Sequence, residues 1–522
     1  MRKWDRRKFV YAGLGAVAVA AVGVATYFAT RPPERIVETV VQTQVQTVEK
    51  PVERIITQTI ERPVEKTIVT TVAGTPTTIV KTEVKREIVE KRVEITKITV
   101  AFPIDLFGTS PYAVAWSDWR NTYNDRFAGK YHADAISGLG WPGIMTKILQ
   151  MVQAGSAPEV SWLGAQRLAP FFKQKALVPL NKWIDALPSD IKKDWESISG
   201  VYQRNHMYQG DILALAIGQY PRYYIYRRDI LRAIGMDENI DKKPPPKDPD
   251  EFLALCEDIK RNSKGINPLN NQPLAPLLVY VGPHSGTALL SIWPLAFYYN
   301  NFKNPIYDDP FEKPKLNTPS MVEAFRYWKE VKDRGYLSIE DLTDPDDFTH
   351  WARFPQGRWV IHFNSPVIIP GWVRDGLPIK ELGVFEAFHP ALTNSWDVGM
   401  TATTKDPDKQ EAAWEFIKWG VFNPDIQLKQ QELLYPANLP TLKSVYDKML
   451  AMSNKYPEFR YFEEPALRIA TDPKKSFLSQ HLYESELEDI LTEALQKVLL
   501  KDVSPQSALA DAESTFYRKY YP

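Results

Sequence analysis

The chain has 522 residues with 64 basic and 64 acidic side chains, so its formal net charge is zero and no global field draws it to nucleic acid. A lone cysteine, Cys256, excludes an intrachain disulfide and a thiolate metal cage. This length exceeds a single compact core and calls for two domains with accessories, and 41 prolines with 25% charged residues fit a heat-tolerant protein.

Residues 1–8 carry Arg2, Lys3, Arg6, Arg7 and Lys8, and residues 9–30 carry no charge. A helix of about 20 residues reaches about 30 Å, enough to span a bilayer, and the positive charges before it would stay in the cytoplasm. Asp5-Arg6-Arg7-Lys8-Phe9-Val10 also resembles a twin-arginine export signal; equally, the paired arginines serve to orient the helix. With no small-x-small site before Arg31 and no cysteine after it, the expectation is an uncleaved single-pass anchor, or an uncleaved signal, with the globular part extracellular.

Residues 31–95 are rich in Val, Ile, Thr, Glu, Lys, Arg and Gln and read as a stalk. Val41, Val45, Val48, Val52 and Ile55 have the spacing of a coiled-coil seam through which copies would self-associate. Pro51, Pro63 and the many β-branched residues oppose a helix. An extended, Thr-rich spacer is the preferred form and the coiled coil the alternative.

Globular sequence begins near residue 96. Ile98-Thr99-Val100-Ala101-Phe102 reads as a strand, residues 112–127 as a helix, 133–136 as a strand before the turn Ser137-Gly138-Leu139-Gly140, then a helix to residue 154 and a strand at Glu159-Val160-Ser161. Alternating strands and helices predict a parallel sheet, whose ligands bind beyond the strand carboxyl ends. That rule selects the loop 105–116, Trp162 and Gly164. Trp183 and Trp195 read as packing residues.

The apolar run 212–217 ends at Gly218-Gln219-Tyr220-Pro221, and an aromatic strand, Tyr223-Tyr224-Ile225-Tyr226, follows. Asp229 is placed to cap a helix that closes at Gly235. Two strands with a pivot between them suit a chain passing from one lobe to another; neighbouring strands of one sheet fit as well. Residues 241–249 form a loop, 250–253 begin a helix, and residues 282–286 form a loop before a helix that includes Trp293. Helices are expected over 409–420, 484–500 and 504–520.

Tyr226-Arg227-Arg228-Asp229-Ile230-Leu231 resembles a segment of the family 1 extracellular solute-binding proteins of ABC transporters, the maltose-binding-protein-like group. Further segments follow in the family's order: Ala154-Gly155-Ser156-Ala157-Pro158-Glu159-Val160, Ala176-Leu177-Val178-Pro179-Leu180, Leu316-Asn317-Thr318-Pro319, Phe354-Pro355-Gln356-Gly357-Arg358-Trp359, Pro440-Thr441 and Ser507-Ala508-Leu509. The resemblance covers residues 96–522; Arg227 replaces the usual Asn, Glu159 an Asp and Lys175 a glycine. It implies an α/β, two-lobed periplasmic-binding-protein-like fold with two mostly parallel sheets flanked by helices and hinged crossings near Tyr220, Trp396 and Pro440. The N-terminal lobe would comprise 96–217 and 398–442, the C-terminal lobe 221–396 and 443–522. The implied function is substrate capture for an ABC importer, with a small-molecule ligand, an oligosaccharide by preference, passed to the permease.

Sugars present apolar C–H faces and many hydroxyls, so their sites need aromatic platforms and carboxylate or amide partners. At the expected cleft edges stand Trp116, Trp162, Tyr220, Trp293, Trp372 and Trp396, with Asp118 and Asp397 as polar partners. A glycosidase would need paired carboxylates across the cleft, and only Asp118 and Asp397 could be drafted, without a motif. A structural or adhesive surface protein is the other alternative, argued by the stalk. No cofactor or metal is expected: the seven histidines lack an H-E-x-x-H pair, and Asp344-Pro345-Asp346-Asp347 lacks the glycine and glutamate of a calcium loop.

Overall fold

A computed structural model describes residues 54–522 apart from 73–74, 94, 141–142, 280, 284–287, 345–352, 435–438, 453, 456–458, 473 and 478–479. The expected segment 1–8, the span 9–30 and the seam positions Val41, Val45, Val48 and Val52 lie outside the described residues, as do parts of the 282–286 loop and of Asp344-Pro345-Asp346-Asp347. Among the described residues no helix is long and apolar enough to cross a membrane.

Strands β1 (Arg54–Val72) and β2 (Thr75–Val93) pair antiparallel from Arg54↔Val93 to Val72↔Thr75. Residues 54–93, within the expected stalk, are therefore neither a coiled coil nor a single extended spacer, because the chain doubles back on itself. Ile, Val and Thr are stiff at χ1 and suit a pleated strand. Pro63 is tolerated because both strands of a two-stranded ribbon are edge strands.

The first large sheet begins with β3 (Thr96–Ala101), β4 (Tyr131–Ile136) and β5 (Val160–Gly164), with β3 central and parallel to both neighbours. Helix Pro111–Arg126 follows β3; Ser110 caps it by accepting from the Ala113 amide, and Pro111 fills the first turn. After the small hairpin β6 (Met207–Tyr208) and β7 (Asp211–Ile212), β8 (Leu215–Pro221) belongs to this first sheet. Then β9 (Tyr223–Arg227) enters a second one, so Arg222 alone separates two strands of different sheets.

That second sheet runs β10 (Ala275–Leu278), β11 (Trp359–Asn364), β9, β12 (Leu382–Phe385). Here β10 and β11 are parallel while β9 opposes both its neighbours. The chain returns to the first sheet as β13 (Ala391–Met400), antiparallel to β5 and β8 and parallel to β14 (Ser476–Phe477). Both sheets are thus mixed: the first keeps the expected parallel majority, whereas the second, with β9 antiparallel to both neighbours, corrects the expectation of mostly parallel sheets. In the first sheet β13 runs against β5 and β8, and in the second β9 runs against β11 and β12; local periodicity does not encode direction. Beside the first crossing, Gln219 and Leu439 exchange backbone hydrogen bonds at 3.1 and 2.7 Å, which brings the Pro440 segment to the pivot.

Each sheet has its own apolar core. Ile98, Val100, Trp119 and Trp162 pack with Val398, Met400 and Phe416 around the first sheet. Leu231, Phe252, Trp293 and Phe325 pack with Leu487, Leu491, Leu495, Leu509 and Phe516 of helices Glu484–Lys501 and Pro505–Tyr520 around the second. The second-lobe helix Arg228–Ala233 departs in one detail from expectation: Arg227 is its N-cap without a side-chain bond, and Asp229 sits in the first turn, its carboxylate held by Arg227. Gly235 closes the turn at φ 75°.

A third apolar cluster joins Ile198, Tyr223, Trp372, Met449, Phe462 and Ala466. Beside it, Glu463 is fully buried and neither of its carboxylate oxygens has a hydrogen-bond partner. Burial holds its carboxyl well above the usual carboxylate range. As pH rises past the ordinary value of 4.5, the unfolded chain gives up a proton that the folded chain keeps, so this group lowers stability increasingly with pH. Glu463→Gln is therefore expected to raise the melting temperature more at about pH 8 than at about pH 4; parallel melting curves of variant and parent across that range would refute it.

Candidate functional site

The carboxyl end of β5 and the start of helix Pro111–Arg126 place a set of aromatic rings where the first lobe meets the second. Trp162 packs on Phe102 with ring centres 4.6 Å apart and on Trp116 at 4.9 Å. Trp116 meets Trp396 of β13 at 5.0 Å and 81°, Tyr112 meets Trp396 at 4.3 Å and 79°, and Tyr220 of β8 meets it at 5.4 Å and 63°. These edge-on contacts set positive ring edges against negative faces. Trp116, Trp162 and Tyr220 are buried, whereas Trp396 and Tyr112 remain half-buried. Burial raises the Tyr112 and Tyr220 hydroxyls, so both are neutral hydrogen-bonding groups at ordinary pH.

Three polar links join the lobes here. Tyr112 Oη donates to the carbonyl of Val367 at 3.2 Å, Gln480 Nε2 donates to the carbonyl of Ala165, and Arg167 pairs with Glu488 Oε2 at 2.9 Å. Glu488 is completely buried; desolvation pushes its carboxyl up to about 8, with Arg167 pulling the other way. One turn earlier on the same helix, Glu484 Oε1 accepts from Trp293 Nε1 at 3.3 Å.

Of the eight residues selected from sequence, four come together: Trp116, Trp162, Tyr220 and Trp396. Asp397 neighbours Trp396 but leaves the opposite face of β13, where its Oδ1 accepts from Ser395 Oγ at 2.7 Å and lies 2.8 Å from His206 Nε2. Asp118 pairs with Lys429 of helix Pro424–Leu434 and is a quarter exposed. Trp293 is buried in the second core. Trp372 is stacked on Phe354 at 4.5 Å and 27° in the third cluster.

Tyr112, Arg167, Gln480 and Glu488 were not singled out from sequence. Tyr112 lies inside the selected loop 105–116, and Arg167 stands three residues beyond Gly164 in the 3₁₀ turn Ala165–Arg167, so the strand-end rule reaches both. Gln480 and Glu488 carry no local signal. Among the described residues no group of three His, Cys, Asp or Glu is placed to hold a metal ion. Cys256 is buried, which raises its thiol far above the reactive range.

A sequence profile for bacterial extracellular solute-binding proteins matches residues 122–460. The chain belongs to that family. By sequence alone, no curated protein matches it. Among solved structures, a solute-binding protein of an ABC transporter from Thermotoga lettingae TMO, bound with alpha-D-tagatose, shares 15% identity at a TM-score of 0.62, covering 81% of this chain and 99% of that one. The GacH receptor of Streptomyces glaucescens GLA.O, solved unliganded and with acarbose and an acarbose homolog, shares 18% identity at a TM-score of 0.61, covering 81% and 98%. Maltose-bound MalE3 of T. maritima shares 17% identity at 0.61, covering 81% and 100%. At such identities the likeness establishes the fold: a two-lobed α/β solute-binding architecture. As an extracellular solute-binding protein the chain is a capture protein and not a glycosidase, and the interlobe aromatic group is its candidate ligand site.

Proposed function

We propose that this solute-binding protein captures a carbohydrate, an oligosaccharide by preference, between its lobes and delivers it to an ABC permease. The observation that carries the reading is the ring group of Tyr112, Trp116, Tyr220 and Trp396 at the lobe boundary. Trp396 and Tyr112 offer faces to the apolar side of a sugar ring, with Trp116 and Trp162 backing them. Arg167 and Glu488 add a donor and an acceptor from opposite lobes, so a hydroxyl-bearing ligand that engages both favours the closed arrangement. Residues 9–30 tether the protein to the membrane as a single-pass anchor, with the globular part extracellular.

Thermal melting against a panel of linear and cyclic oligosaccharides tests the reading. A ligand should raise the melting temperature with concentration as mass action requires; unchanged melting across the panel would remove the carbohydrate assignment. For the best ligand, Trp396→Ala is expected to weaken binding about 10- to 100-fold by isothermal titration, because a half-buried ring stacked on a sugar is a hot-spot contact. An affinity within about two-fold of the parent would move the platform elsewhere.

A further inference from the structure

Side chains alternate along a strand, so Ser395 and Asp397 leave one face of β13 and Trp396 leaves the other. Behind the strand two buried polar side chains converge on one carboxylate oxygen of Asp397. Ser395 Oγ donates to Asp397 Oδ1 at 2.7 Å, His206 Nε2 lies 2.8 Å from that same oxygen, and Oγ and Nε2 are 3.3 Å apart. His206 stands just beyond helix Ser189–Asn205, so the cluster ties β13 to a separate element.

At the same step the sheet is irregular. Trp396 pairs with Gly218 of β8 and Asp397 pairs with Ala216, which leaves Ile217 as an extra residue on β8. Pairing with β5 continues without a slip, Trp396 to Gly164 and Asp397 to Leu163. A bulge re-aims the side chains beside it and weakens the definition of register. At this step β13 is held in regular register on its β5 side only, so a contact behind the strand would help Trp396 keep one direction.

We propose that Ser395, Asp397 and His206 form a positioning cluster for Trp396: by anchoring the back of β13 at the bulge, they aim the ring at Tyr112 and Tyr220. The inference rests on the reading of Trp396 as a ligand platform. Buried ionic clusters are a poor source of stability, since well-packed apolar residues of equal volume do as well. What charge-assisted hydrogen bonds add is a fixed distance and angle, and a strand that carries a binding residue opposite a bulge in its neighbour gains from that geometry. Asp397, selected from sequence as a ligand partner, thus acts from behind the ligand face. The trio is not a nucleophilic relay, because Ser395 and His206 both point at the carboxylate and all three groups are sealed from solvent.

The full-length chain tests the proposal with and without ligand. The difference in near-ultraviolet circular dichroism between the parent and Trp396→Phe reports the orientation of that one ring among its aromatic neighbours. His206→Ala is expected to reduce this difference signal by more than about half, and His206→Gln, whose amide still donates to Asp397, to restore it. A signal that survives His206→Ala unchanged overturns the proposal; if that variant fails to fold, Ser395→Ala supplies the comparison. With an oligosaccharide that the parent binds, His206→Ala should weaken affinity about ten-fold, but by less than about two-fold in a Trp396→Ala background. Equal weakening in both backgrounds also overturns it. Leu491→Ala in the second core, which loses melting temperature without touching β13, should leave affinity unchanged. If the parent binds no oligosaccharide, the carbohydrate reading fails and the dichroism arm alone decides this one.

Discussion

Arg227→Ala is expected to destabilise the second lobe by about 3–5 kcal/mol, the cost of breaking a buried ion pair from one side. Its guanidinium grips both oxygens of Asp229, at 2.8 and 2.6 Å, while Nη1 donates to the carbonyls of Phe354 and Pro355 at 3.2 and 3.1 Å. The side chain is only 6% exposed, so water cannot take over those contacts when it is removed. One residue therefore fastens the strand after the pivot to the turn that opens β11. Arg227→Lys should recover little, because an ammonium cannot reproduce a planar fork serving a carboxylate and two carbonyls. Urea unfolding of the three proteins measures the effect. A loss below about 1 kcal/mol for Arg227→Ala would mean that the pair contributes no more than an exposed ion pair does.

The second large effect is steric. Gly420 lies in helix Pro407–Val421 against the Trp119 ring, and any Cβ built there would overlap that ring. Trp119 has no room to retreat: it is stacked on Phe416 at 5.1 Å and 9°, and its Nε1 donates to the Phe416 carbonyl at 3.1 Å. Gly420→Ala gains about 1 kcal/mol of helix propensity. Overpacking costs about 1–3 kcal/mol, and with a rigid aromatic as the obstacle the upper end applies. The helix gain is outweighed. Gly420→Val should cost about 3 kcal/mol or more, and combining it with Trp119→Leu should restore part of the loss. Chemical unfolding of the single and double variants checks this; additive losses in the double variant would show that the ring is not the obstacle.

Local signals made much of the fold legible. The apolar run at 98–102 became β3, residues 112–127 became helix Pro111–Arg126, and Ser504 caps Pro505–Tyr520 by accepting from the Ser507 amide. The break at Tyr220-Pro221 is where β8 of one sheet gives way to β9 of the other. Strand direction was not legible, since the same alternation serves parallel and antiparallel neighbours. Residues 54–93 read as part of an extended spacer; their backbone is extended, but the pairing of Arg54 with Val93 is information that no short window contains. The strand-end rule reached Trp116 and Trp162 of the candidate site because it rests on the topology of the first sheet. It could not find Glu488, which meets Arg167 across 321 residues. Trp293 and Trp372 followed the commoner fate of a large aromatic ring, burial in a core.

Neither core is assembled from one continuous piece of chain. The first needs Val398, Met400 and Phe416 as well as residues near 100 and 160, and the second needs Leu487, Leu495 and Phe516 as well as residues near 225 and 325. A polypeptide emerging amino end first, from a ribosome or through a translocation channel, thus displays half-finished apolar surfaces until helices Glu484–Lys501 and Pro505–Tyr520 are out. A product cut short at the end of Lys443–Ala451 would keep the set of segments that builds the first lobe and none of the final helices that seal the second. Quality-control proteases would meet that fragment as an open substrate, whereas the finished chain hides the same surface from them.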